Sequence, residues 1–181
     1  MSRLPLLTEA ELSEPQRAVW AAIVEGPRGR VEAPLNLWLR SPEMAGPAQA
    51  LGAYCRYGSA LPRRLSELAI LVTAAWWKAA YEWAAHAPAA VAAGLDPQCI
   101  EALRRGAAPR FTEADEQAVH DVASELLSAR ALSPATYARA EAALGARGLV
   151  DLVAVLGYYG FISMTLKAFA MKAPDGKDPF A

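Results

Sequence analysis

The chain is poor in the residues that most often announce a function. It holds two cysteines and two histidines in 181 residues. Cys55 and Cys99 stand 44 positions apart, and neither has a second Cys or a His at metal-ligand spacing, so no metal site or disulfide framework is written into the pattern. No sign of charge dominates either. A net charge of -1 and a pI near 6.1 exclude the general positive field that draws nucleic acid or an anionic membrane. The first residues, MSRLPLLTEAELSEP, lack the apolar core of a secretory signal. The longest uncharged apolar run, Leu152 to Leu166, is 15 residues long, short of the roughly 20 that span a bilayer. Period-two alternation between turn clusters is nearly absent, and no segment repeats. The expectation is a cytoplasmic protein in a reducing setting, without nucleic-acid or membrane partners.

What is present is apolar and helical. With 54% apolar and 20% charged residues the chain has the composition of a folded core, and its length fits one domain over residues 1–181. Cap-then-proline starts recur: Ser13 with Pro15, Ser41-Pro42, Leu61-Pro62, Asp96-Pro97 and Ser133-Pro134. They predict helices from Ser13 to Gly26, Ser41 to about Gly58, Pro62 to Trp77 and Asp96 to Leu103, with a short turn around Leu35 to Leu39. Further helices are expected over Ala79 to Ala93, Thr112 to Ala129 and Ser133 to Leu144. A long last helix should follow Gly148 and run to about Met171. GPRGRVEAPLN reads as a loop, and residues 172–181 as a loose, breaker-rich tail. The last helix is apolar on nearly every side, which predicts cover all round, either at the centre of the bundle or from neighbouring subunits.

The chemistry concentrates in LPRRLSELAILVTAAWWKAAYEWAAHAPAAVAAGL, which holds His86 inside a pair of apolar helices. Glu82 and His86 are four apart, a spacing that places both on one helix face, where a carboxylate can orient an imidazole. Pro88 removes an amide donor from the next turn. Glu67 sits among Leu65, Leu68, Ala69 and Ile70, where a charge is costly without a partner. With a short connection around Lys78 the two helices should pack antiparallel, so that Glu67 can reach His86 across the groove. A plainer reading gives Glu67 or Glu82 a surface ion pair with Arg63, Arg64 or Lys78.

That same run resembles the core of the carboxymuconolactone decarboxylase family, which shares its fold with the alkylhydroperoxidase D-like proteins. GLVDLVAVLGYYGFISMTLKAF is similar to the family's closing helix, and GPRGRVEAPLNLWLRSPEMAGPAQALGAY to its N-terminal approach, so the likeness covers about residues 26–170. It implies an all-α, alkylhydroperoxidase D-like helical bundle that assembles as a trimer or hexamer. In the peroxidase branch a Cys-x-x-Cys pair precedes a His by four residues, with a Glu nineteen before that His; Glu67 and His86 keep this relation, but the cysteine positions hold Ala79 and Glu82. No dithiol can form there. The resemblance therefore implies the decarboxylase branch: a Glu-x-x-x-His pair with an upstream Glu, no metal and no organic cofactor, acting on a lactone or related organic acid. His86, oriented by Glu82 or Glu67, is the candidate proton donor, and Arg64 or Arg40 the candidate clamp for a substrate carboxylate.

Other features weigh less. His120 follows a charged helix start and reads as a solvated surface residue. Cys55 reads as packing, and Trp76, Trp77, Tyr81, Trp83, Tyr158 and Tyr159 as core aromatics that can also shape a pocket. Two readings compete with the lyase. A non-catalytic or small-ligand-binding oligomer predicts a sealed Glu67, Glu82 and His86 trio. A thiol peroxidase needs Cys55 and Cys99 to approach with Cα atoms below about 7 Å.

Overall fold

The computed structural model describes residues 2–181, and among them every regular element is helical. The order is a 3-10 turn at Glu9–Glu11, then α1 (Glu14–Glu25), α2 (Ala33–Trp38), α3 (Pro42–Ala53), a π-helical turn at Tyr54–Gly58, α4 (Arg63–Trp77), α5 (Ala80–Ala92), α6 (Pro97–Arg104), α7 (Ala114–Ala129) and α8 (Pro134–Ala168). The starts follow the cap-and-proline signals: Ser13 accompanies Gln16 in a capping box, Asp96 accepts from the Gln98 amide, and Ser133 accepts from the Thr136 amide. Lys78, in the left-handed conformation at φ 49°, ends α4 and turns the chain into α5 within two residues.

The centre of the bundle is α4, and not the last helix. Every residue from Leu65 to Ala74 is buried, packed by α5, α7 and α8. The small side chains Ala69 and Ala74 let these neighbours approach, which the bulkier α8 does not allow on all sides. The most apolar part of α8 is long enough to cross a membrane by composition, yet 61% of it is buried inside the protein. Its remaining face carries Val150, Val153 and Met164 in the open, with Val150 68% exposed. The break in α8 falls at Gly145, where φ is 68°, three residues before the Gly148 expected to open it. Gly148 is instead buried in regular helix, where a Cβ would sit 3.1 Å from Leu144.

The C-terminal tail is docked rather than loose. Phe180 meets the Trp83 ring edge-on at 5.2 Å, and the Pro179 carbonyl accepts from Arg104 at 2.5 Å. Its one aromatic, invisible to a count of breakers, supplies the apolar area that holds it.

The α3 helix does not end in a turn but widens into the π-helical segment, a device that re-aims side chains. One buried carboxylate fastens this segment to α8: Asp151 accepts from the Tyr54 hydroxyl at 2.9 Å and from the Ala60 amide at 2.7 Å. Asp151→Ala strands both donors, so it should cost about 2–3 kcal/mol of stability. Urea unfolding checks this, and a loss within experimental error would show that the π-helical turn is held by packing alone.

Candidate active site

His86, on the second turn of α5, is buried beside α4, and its Nδ1 lies 2.7 Å from Glu67 Oε2. Glu67 is 2% exposed and His86 5%, so this hydrogen bond lies almost entirely out of water. With a carboxylate as acceptor the Nδ1 atom carries the hydrogen, which leaves Nε2 as the proton-exchanging nitrogen. Arg63 stands behind Glu67 as a long, exposed ion pair at 3.8 Å.

The four-residue spacing of Glu82 and His86 does not give a hydrogen bond between them. Glu82 Oε2 accepts instead from the Ser163 hydroxyl of α8 at 2.9 Å, and Oε1 has no hydrogen-bond partner among the described residues. Burial holds the Glu82 carboxyl well above the usual carboxylate range, against a smaller lowering by Ser163. Burial therefore favours the protonated form of Glu82. Because Ser163 donates to Oε2, the acidic hydrogen belongs on Oε1.

His86 and Glu82 share a cleft with Arg28, Glu32, Arg56, Tyr81, Tyr158 and Tyr159, with Pro34, Leu35, Ala85 and Ile162 as its apolar lining. It is narrow and reaches solvent, with about 370 Å³ of space including its mouth. Glu67 does not line it, so the carboxylate sits behind the imidazole. The Tyr159 ring meets His86 edge-on at 5.1 Å and Tyr158 at 5.5 Å, forming an aromatic wall. Burial pushes the Tyr158 hydroxyl up to about 12 and that of Tyr159 well above the usual phenol range, so both are hydrogen-bonding groups and not bases.

The arginines of the cleft are not those the sequence suggested. Arg64 is committed to Asp115, at 2.9 Å, and to Glu116 at the start of α7. Arg40 donates to the Pro5 carbonyl at 2.5 Å and lines no cleft with His86. Arg28, from the loop after α1, and Arg56, from the π-helical turn, take their place. Arg56 faces Glu32 at 3.8 Å. Their signal in sequence was weak, since a loop arginine shows nothing of where its loop packs.

The two cysteines are free and buried in different surroundings. Cys99 donates to the Arg110 carbonyl at 3.1 Å, while Cys55 lies in the π-helical turn. Burial, helped by Asp151, pushes the Cys55 thiol up to about 11, which makes it a poor nucleophile at neutral pH. His120 is half-buried, not solvated, against Phe111 at 5.4 Å, and burial lowers its basicity. Among the described residues no three His, Cys, Asp or Glu groups cluster as a metal site would require.

The model of the carboxymuconolactone decarboxylase family matches residues 42–125, from the start of α3 into α7, and so contains Glu67, Glu82 and His86. Over that span the chain is similar to the carboxymuconolactone decarboxylase family. An uncharacterised peroxidase-related protein from Silicibacter sp. TM1040 has a similar structure, with a TM-score of 0.73 over 94% of this chain and 90% of that one. At 20% identity this is a likeness of fold. No curated protein sequence matches. Ala79 precedes α5 and Glu82 lies in its first turn, so neither position supplies a thiol beside His86.

The weakened acidity of Glu82 links to stability with a definite sign. The folded protein keeps the Glu82 proton at pH values where the unfolded chain, near 4.5, has released it. The folded state then binds more protons, so stability falls as pH rises above that point, by up to about 1.4 kcal/mol per pH unit. In Glu82→Gln this contribution disappears, and its thermal midpoint should gain on the wild type progressively as pH rises from about 5. A constant gap across that range would show that Glu82 ionises normally.

Proposed function

We propose that the chain is a cofactor-free, carboxymuconolactone decarboxylase-like enzyme that moves a proton between His86 and a small lactone or related organic acid. The observation that carries this reading is the buried Glu67–His86 hydrogen bond, which fixes one imidazole nitrogen and leaves the other at the cleft. The neutral Glu82 in the same cleft adds an O–H donor at an atom without a protein partner. Two titratable groups whose environments differ in this way are suited to separate duties.

In the reaction the bond from a ring carbon to its carboxylate breaks and carbon dioxide leaves. The electron pair flows through the conjugated ring toward the lactone carbonyl oxygen. Glu82 Oε1–H stabilises that oxygen, as a preorganised donor does best out of water. Protonated His86 then delivers its Nε2 proton to carbon, Glu67 stabilising the imidazolium until the proton is given up. Charge balances over the cycle when the imidazole regains a proton from solvent.

The thiol peroxidase reading loses support from Ala79, Glu82 and the unreactive Cys55 thiol. A homo-oligomer, trimer or hexamer, belongs to the proposal, supported by the apolar stripe of Val150, Val153 and Met164 left open along α8.

His86→Ala would leave the Glu67 carboxylate buried without its partner and confuse activity with folding. His86→Asn avoids this, because its amide nitrogen can donate to Glu67 in the place of Nδ1 while offering no proton to transfer. Ultraviolet absorbance assays against carboxymuconolactone and related lactone acids should show wild-type turnover that falls by about 100-fold or more in His86→Asn. Equal turnover in the two proteins would remove His86 from the chemistry.

A further inference from the structure

We infer that Arg28 is the residue that receives the substrate's carboxylate, and that Tyr158 and Gly52 exist in their present arrangement to seat it. This rests on the proton-transfer reading of the same cleft for its reaction, though not for its binding.

The guanidinium of Arg28 is under-used in a way that no other arginine of the cleft is. Its Nε is buried without a hydrogen-bond partner, and its one polar contact is a long donation from Nη2 to the Tyr158 hydroxyl at 3.4 Å. Among the described residues no carboxylate lies within ion-pair distance of it, whereas Arg30 and Arg56 pair with Glu32, Arg63 with Glu67, and Arg64 with Asp115 and Glu116. Of four buried side-chain atoms lacking a partner, two, Arg28 Nε and Glu82 Oε1, belong to residues that line this one cleft. A guanidinium with an idle Nε and Nη edge matches a carboxylate bidentately.

The backbone makes room for this group. Gly52 is buried near the end of α3, in a helix interior where glycine costs about 1 kcal/mol relative to alanine. A Cβ there would collide with the Tyr158 hydroxyl and with the Arg28 guanidinium. The glycine lets Tyr158 and Arg28 lie against the helix at the cleft.

Charge selects the ligand class. Arg28 and Arg56 contribute two positive charges to the lining and Glu32 one negative. The arginines outnumber the fixed carboxylate, so the lining favours an anionic ligand. Under decarboxylation Arg28 holds a carboxylate that stays on the product, because a guanidinium clamped on the departing one would hold the charge the reaction has to move.

Calorimetric titration with muconolactone, which carries one carboxylate, and with its uncharged methyl ester separates the possibilities. The wild type should bind the acid more tightly than the ester. Arg28→Met should weaken the acid by about 10- to 100-fold and leave the ester unchanged, and Arg28→Lys should recover part of the loss. Tyr158→Phe should weaken the acid less than Arg28→Met does, a second reading in a chain whose Arg28 side chain is intact. A wild type that does not prefer the acid, or an Arg28→Met protein that binds it normally, overturns the inference. Arg28-dependent binding without turnover by the wild type would sustain it while removing the lyase reading.

Discussion

The structure turns on one charge placed where charges are least welcome. Helix α4 is buried from Leu65 to Ala74, and Glu67 lies in that stretch. An unpaired carboxylate in such surroundings costs several kcal/mol, and the His86 imidazole is the group that relieves it. The bond leaves little freedom to α5: its rotation must bring His86 toward α4, and its depth must match a 2.7 Å contact. The same requirement places the neighbouring Glu82, one turn earlier on the same helix. The left-handed turn at Lys78 makes the match possible by reversing the chain over two residues.

Glu67 and Glu82 show how two identical side chains, equally buried, come to differ. Glu67 faces a group that can carry positive charge, with Arg63 beyond it. Glu82 faces only the hydroxyl of Ser163, which cannot offset the loss of water, and it is held neutral. The second position therefore presents an acidic hydrogen where the family's peroxidase branch would present a thiol. One substitution type in the first turn of α5 exchanges redox capability for hydrogen-bond donation, without disturbing the Glu67–His86 pair next to it.

Much of this was legible in the chain because it is local. Helix starts depend on a cap and a proline a few residues apart, and the implied partner of Glu67 lay nineteen residues away across a short turn. What escaped is long-range. Arg64 finds its carboxylates 51 and 52 residues later, in the first turn of α7, and so is unavailable to a substrate. Arg56 is aimed by a π-helical turn whose anchor, Asp151, is nearly a hundred positions away. The apolar character of α8 showed that it must be covered, but not that α4 would take the centre. The i, i+4 reading of Glu82 and His86 failed for a different reason: both options were local, and Ser163, 81 residues on, supplied a third.

The cleft also accounts for where the fold gives up stability. A glycine in the α3 interior, a carboxyl oxygen and a guanidinium nitrogen without partners, and a helix that widens into a π-turn would each be removed by a sequence selected for stability alone. They are not scattered. Arg28, Arg56 and Glu82 come from three separate segments and line the cleft that holds His86, and Gly52 lies against Arg28 and Tyr158. Core packing has no need of such a convergence, since apolar residues of similar volume would fill the space at lower cost. A site that must bind an anion and manage a proton does need it, and the local departures from good helix and core design are the trace of that demand.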